Sequence, residues 1–114
     1  MTEAAVYWRD SWNAALEEAK QANRPVVLEL YMEGCSHCQR LHRETHADQA
    51  VAAALNTRFI PVRLEGRGHM DLVKQFNVTG APTTLIISAD GKELHRLAGF
   101  FPPAEYLQEL EKFG

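Results

Sequence analysis

The chain has 114 residues, 46% apolar and 24% charged, ordinary values for a globular protein that exclude a fibre or a disordered tail. That length suits one domain, residues 1–114, able to bury roughly two-thirds of the surface of its unfolded chain, so neither a disulfide nor a metal is needed for folding. A formal charge of -3 leaves no basic field to hold phosphates, which excludes nucleic acid as an expected partner.

Glu3, Arg9, Asp10, Glu17, Glu18, Lys20 and Arg24 interrupt the first thirty residues, leaving no apolar stretch of signal-peptide type, and nothing reaches the length of a membrane span. If Met1 is the native start, a cytoplasmic protein is expected; a trimmed leader would make it periplasmic or otherwise exported, where thiols meet oxidising partners. Ser11 to Ala22 spaces Trp12, Ala15, Leu16 and Ala19 at helical intervals, with Asp10 or Ser11 as N-cap and Asn23-Arg24-Pro25 as the stop. Residues 26–32 are apolar on both parities apart from Glu29, which suits a central strand covered on both faces.

A second helix is expected from Cys35 to His46, continued after Asp48 through Ala50, Val51, Ala54 and Leu55. Arg58 to Leu64 reads as a strand whose pairing Pro61 should limit, and a short helix follows from Met70 to Phe76. Thr83 to Ser88 is a further strand, and Asp90-Gly91 turns it into an antiparallel return over Lys92 to Leu97. Pro102-Pro103 precede a last helix with Tyr106, Leu107, Leu110 and Phe113 on one face, and Val6 to Trp8 is a candidate extra strand. This order implies an α/β protein whose central mixed sheet has four or five strands, a parallel βαβ half and an antiparallel hairpin half, with helices on both faces.

Two cysteines three apart, Cys35 and Cys38, stand where the first strand hands over to a helix through Gly34. Such a pair is half of many zinc sites, but no second pair exists, and the strand-to-helix setting favours redox chemistry. A sulfur at a helix N-terminus faces free backbone N–H groups and the positive end of the macrodipole, both of which favour thiolate. Cys35 is therefore the candidate nucleophile and Cys38, one turn in, the candidate resolving thiol.

Val26 to Cys38, Gly80-Ala81-Pro82-Thr83 before a strand and Gly99 after the hairpin together resemble the thioredoxin-fold thiol-disulfide oxidoreductases, over nearly the whole chain. Trp12, Glu18-Ala19-Lys20, Arg24-Pro25, Glu44-Thr45, Leu55-Asn56 and Phe59 are similar to small bacterial thioredoxin-like proteins and to the C-terminal domain of the membrane thiol:disulfide interchange protein. The resemblance implies a thioredoxin-like fold. It also implies that Pro82 is a cis-proline against the dithiol, that Ala81 offers backbone groups to an extended substrate, and that Gly99 keeps the neighbouring loop thin. It places a buried acid at Glu29 beneath the resolving cysteine, where a carboxyl is costly to ionise and would exchange a proton with Cys38; the alternative is an edge-strand glutamate facing water. His37, as imidazolium or hydrogen-bond donor, would stabilise the Cys35 thiolate, unless it is simply solvated.

Three positions depart from the family pattern. Gly34 replaces a tryptophan common in relatives and removes a flat recognition surface, His46 stands where an aromatic is usual, and Arg63 stands where a lysine tends to lie near the buried acid, so it could pair with Glu29. Cys35, Cys38, His42 and His46 also form an i, i+3, i+7, i+11 stripe, but His46 would lie roughly 16 Å along the axis from Cys35, outside any tetrahedral shell. The rival function is thus a metal-binding or redox-sensing thioredoxin-fold module using Cys35, Cys38 and His42, with His42 and His46 otherwise packing or surface residues. An exposed apolar pair, Phe100-Phe101, would serve substrate or partner binding alike.

The expected activity is exchange of a Cys35-Cys38 dithiol with protein or small-molecule disulfides, in the reductase direction, reset by an upstream dithiol reductant. No cofactor is expected, since no Gly-rich phosphate loop is present, and no metal; the expected form is a monomer without a membrane segment.

Overall fold

The computed structural model describes residues 5–114, so the first four residues of the expected domain lie outside it. Four strands, β1 (Val26–Tyr31), β2 (Ile60–Glu65), β3 (Thr83–Ile87) and β4 (Glu93–Ala98), form one sheet in the order β2-β1-β3-β4. β1 runs parallel to β2 and antiparallel to β3, and β4 returns antiparallel to β3. The helices are α1 (Trp12–Ala22), α2 (Ser36–Arg40), α3 (Gln49–Arg58), α4 (Met70–Gln75) and α5 (Pro103–Glu111).

Local chemistry sets the helix ends. Ser11 Oγ accepts from the Ala14 N–H at 3.2 Å to start α1, and Asn23 closes it in the left-handed region at φ 54°. Asp48 caps α3 by accepting from the Val51 N–H at 3.1 Å. Pro103 opens α5 at a position where no N–H is required.

Alternate residues of each strand point to opposite sides of the sheet, and each side has its own core. Val26, Leu28, Leu30, Ile60, Val62, Leu64, Leu85 and Ile87 pack with Ala15, Ala19 and Leu72 from α1 and α4. Val27, Ile86 and Leu97 meet Leu41, Val51, Leu55, Tyr106 and Leu110 on the other side. Each such aliphatic side chain, fully buried, contributes about 1.5–3 kcal/mol.

Three sequence expectations change in detail. The candidate strand at Val6 to Trp8 reduces to a single bridge one residue later: the Arg9 N–H donates to Pro61 O at 2.9 Å and the Arg63 N–H donates to Arg9 O at 3.1 Å. Pro61 therefore does not limit pairing with β1, which runs from Val26 opposite Ile60 to Tyr31 opposite Glu65. Its nitrogen lies on the outer edge, where a missing N–H breaks no ladder bond. Arg58 belongs to α3, not to β2, and Phe59 leads into the strand fully buried.

The long helix expected from Cys35 to His46 is also interrupted. After α2 the chain makes one π-helical turn, Leu41–Thr45, marked by the His46 N–H donating to Leu41 O at 3.0 Å. Five-residue spacing in that turn breaks the straight stripe that a 3.6-residue period draws from Cys35 to His46.

Candidate active site

Cys35 and Cys38 are joined in a disulfide with their Cα atoms 5.2 Å apart. Cys35 is the N-cap of α2, its Sγ accepting from the Cys38 N–H at 3.2 Å, and the same donor would hold a thiolate after reduction. The two sulfurs are not equivalent: Cys35 is half-buried, whereas Cys38 is 1% exposed. Gly34 makes the preceding turn at φ 78°, a left-handed conformation that suits glycine, and the space beyond its Cα is open.

Facing the dithiol, the Ala81-Pro82 peptide bond is cis, and Ala81 O lies 3.6 Å from Cys35 Sγ. Pro82 is buried and its carbonyl accepts from the Gly99 N–H at 2.8 Å. Gly99 has φ 86°, with nothing within 4 Å of where a Cβ would stand. Along this edge runs a groove of about 400 Å³ lined by Gly80, Ala81, Pro82, Arg96 and Gly99 among others. A second, largely apolar recess of about 250 Å³ includes Met32, Met70, Val73, Val78 and again Ala81. Extended chain lying here would meet backbone groups and apolar side chains together.

Phe100 and Phe101, expected to be exposed, are half-buried because both pack on the core beneath α3 and α5. The Arg40 guanidinium lies 4.0 Å over the Phe100 ring, and Thr45 Oγ1 donates to Phe101 O at 2.6 Å.

Glu29 is 0% exposed, in the interior strand. Strand register sets Arg63 on one side of it and Thr84 on the other. Arg63 Nε lies 3.4 Å from Glu29 Oε2, and the Arg63 guanidinium also stacks 3.9 Å over the Tyr31 ring. The residue that sequence reasoning undervalued is His46. Expected as packing or surface, it is 3% exposed, and its Nε2 lies 2.8 Å from Glu29 Oε1. Both contacts are of ion-pair distance without hydrogen-bond alignment, so among the described residues the carboxylate oxygens, His46 Nε2 and Arg63 Nε have no hydrogen-bond partner. Thr84 and Tyr106, also buried polar groups, complete the patch, and burial followed by the Glu29 charge pushes the Tyr106 pKa up. One cue was available: Thr84 falls opposite Glu29 once the two strands pair antiparallel.

His37 is exposed, and among the described residues its ring has no hydrogen-bond partner. His42 is exposed too, and its Nδ1 meets His46 Nδ1 at 3.0 Å. The rival ligand set of Cys35, Cys38 and His42 does not assemble: the sulfurs are bonded to each other, and the His42 ring is engaged with His46. No metal-like group of three or more His, Cys, Asp or Glu side chains occurs among the described residues.

A half-buried sulfur at a helix start, a buried partner one turn in and a cis-proline across from them define a thioredoxin-fold thiol-disulfide oxidoreductase. The chain belongs to the thioredoxin-like domain family, which matches residues 12–114. It is 35% identical over 98 residues to the thiol:disulfide interchange protein DsbD of Yersinia pestis (strain Pestoides F), covering 82% of this chain and 16% of that protein. The chain thus spans about one-sixth of the length of the curated relatives it matches. A thioredoxin from Thermus thermophilus superposes with a TM-score of 0.84 at 27% identity, covering 95% of this chain and 86% of that one. The oxidised C-terminal domain of Neisseria meningitidis DsbD has the same fold, with a TM-score of 0.75 at 24% identity over 90% of this chain and 91% of that one.

Proposed function

We propose that this domain is a disulfide reductase for protein or small-molecule disulfides. In the reduced form the Cys35 thiolate attacks one sulfur of the substrate along the S–S axis, forming a mixed disulfide and expelling the other sulfur as a thiolate. Cys38 then gives its proton to Glu29 or water and attacks Cys35 Sγ. The mixed bond breaks, the second substrate sulfur leaves and takes up a proton, and the Cys35-Cys38 disulfide closes. Two electrons have passed to the substrate, and an upstream dithiol must return them.

The observation that carries this reading is the inequality of the two sulfurs, one reachable and hydrogen-bonded by the Cys38 N–H, the other 1% exposed. In the same reading Ala81 and Pro82 pair with the substrate backbone, Gly34 and Gly99 leave it room, and Phe100 flanks it. His37 favours the thiolate from the solvent side. The name of the DsbD relatives, thiol:disulfide interchange protein, supports exchange with another dithiol.

Direction is tested by the reduction potential of the Cys35-Cys38 pair. A reductase predicts a value between those of glutaredoxins and thioredoxin, about -200 to -270 mV, and a value near the -120 mV or so of a strong oxidase would contradict it. For His37, titration of Cys35 in His37→Pro should show a higher thiol pKa than in wild type; an unchanged one removes His37 from the mechanism.

A further inference from the structure

The exchange chemistry leaves two imidazoles unused, and they stand in line with the buried acid. His46 Nε2 is 2.8 Å from Glu29 Oε1, and His46 Nδ1 is 3.0 Å from Nδ1 of the exposed His42. Two ring nitrogens at that distance attract only when one carries a proton and the other does not. At the other end His46 Nε2 and Glu29 Oε1 are within reach but out of hydrogen-bond alignment, so the ring or the carboxyl must turn before a proton passes; once turned, either a ring N–H meets a carboxylate or a carboxylic acid meets a bare ring nitrogen.

With both rings neutral, two proton arrangements satisfy both contacts. In one, Glu29 is ionised and the protons sit on His46 Nε2 and His42 Nδ1. In the other, Glu29 is neutral and the protons sit on His46 Nδ1 and His42 Nε2. They differ by one proton. A proton arriving from water at His42 Nε2 moves the His42 Nδ1 proton to His46 Nδ1, and the His46 Nε2 proton to Glu29 Oε1. We propose that His42 and His46 form a two-ring relay by which Glu29 exchanges its proton with solvent, rather than through the dithiol surface.

Several features of the structure favour this path. Glu29 is 0% exposed among the described residues, with the Arg63 guanidinium beside its Oε2 at 3.4 Å, so the carboxyl does not itself touch water. A cleft of about 320 Å³ lined by Val6, Trp8, His42, His46 and neighbouring alanines reaches both rings, and it shares no lining residue with the groove beside Pro82. Trp8, its ring 4.7 Å from that of His46, fixes the inner imidazole, and the Asn56 side chain pins that segment by donating to Ala5 O at 2.7 Å and accepting from the Tyr7 N–H at 2.9 Å. The π-helical turn carries His42 and presents His46 at its end.

The other groups facing this line are Arg63 from β2, the Tyr106 phenol from α5, whose ring is 5.9 Å from that of His46, and the Thr84 hydroxyl from β3. Although His42 is exposed overall, the inner side of its ring is covered, and that partial desolvation, followed by the nearby Arg63 charge, holds its pKa below the ordinary value against a smaller opposing pull from Glu29. That direction favours the neutral ring the relay uses.

The relay rests on Glu29 being the acid that exchanges a proton with Cys38, so the test separates the two. Single-turnover resolution of the mixed disulfide is followed against pH in wild type, Glu29→Gln, His46→Phe and His42→Ala. General acid–base groups are typically worth about 10²–10⁴-fold, so His46→Phe and His42→Ala should slow resolution by at least about tenfold and shift its pH profile, with free imidazole restoring His42→Ala. Wild-type rates and profiles in both histidine variants, with a changed profile in Glu29→Gln, would overturn the relay alone. An unchanged Glu29→Gln would overturn the role of Glu29 as well. Should a variant fail to fold, nitrogen-15 spectra of the wild-type histidines decide: one protonated Nδ1 between the two rings is expected, and two bare Nδ1 atoms would refute the relay.

Discussion

Under α1 and α4 strands β1 and β2 present an apolar surface, with Val26, Leu28 and Leu30 of β1 between Val62 and Leu85, and polar Thr83 and Arg96 enter only from β3 and β4. Under α3 and α5 the same strands present Val27, Ile86 and Leu97, but across the middle runs the polar row Arg63, Glu29 and Thr84, with His46 and Tyr106 above it. The first side is mainly packing. The other keeps buried polar groups that contribute less to stability than apolar residues of similar volume would, and the dithiol helix leads directly into it. The contrast teaches where this fold places stability and where it places chemistry, though both are built from alternate residues of one strand.

The largest effect separating the sides should come from Leu28→Ala. A fully buried leucine truncated in a close-packed face costs about 2–5 kcal/mol, read by denaturant unfolding, while the folded fraction keeps its rate of disulfide exchange. A loss of exchange rate per folded molecule would show that the two sides are coupled and break the comparison.

Glu29→Gln should do the reverse. Its stability change should be smaller than that of Leu28→Ala, while resolution of the mixed disulfide slows by at least about tenfold, roughly 1.4 kcal/mol of barrier. Stopped-flow fluorescence together with urea melts measures both, and a variant as destabilised as Leu28→Ala with normal resolution would make Glu29 a packing residue only.

Asp48→Ala probes the helix frame of the polar side without touching its centre. Loss of the bond from the Val51 N–H should cost about 1 kcal/mol, and exchange rates should stay near wild type. Smallest is a pH effect at His42. Its folded pKa lies below the ordinary 6.5, so the folded state binds fewer protons there than the unfolded one. The associated stability is fully present above pH 6.5 and is lost as pH falls through the lowered folded value. The stability of wild type relative to His42→Gln should fall as the pH drops across that window; a relative rise instead would reverse the sign.

Elements whose signals are local were readable in the sequence. The β1 run, the Asp90-Gly91 hairpin, the Ser11 and Asp48 caps and the dithiol at a strand-helix junction each depend on neighbours within a few residues. What escaped depends on distant parts of the chain. His46 is buried because Glu29, seventeen positions earlier, lies against it in space; a helical wheel drawn with a 3.6-residue period also hides the π-helical turn that presents it. Pro61 read as a limit on pairing because only the bridge to Arg9 reveals which edge its nitrogen faces. Phe100 and Phe101 read as exposed because the core that half-covers them is assembled from α3 and α5.

The inequality of the two sulfurs is tested most directly by trapping. Reduced Cys38→Ser and Cys35→Ser are mixed with a disulfide-bonded protein substrate, and the covalent adducts are counted by intact mass. The account predicts a stable one-to-one mixed disulfide through Cys35 in Cys38→Ser and almost none in Cys35→Ser. Equal trapping by both variants, or trapping through Cys38 alone, would contradict it.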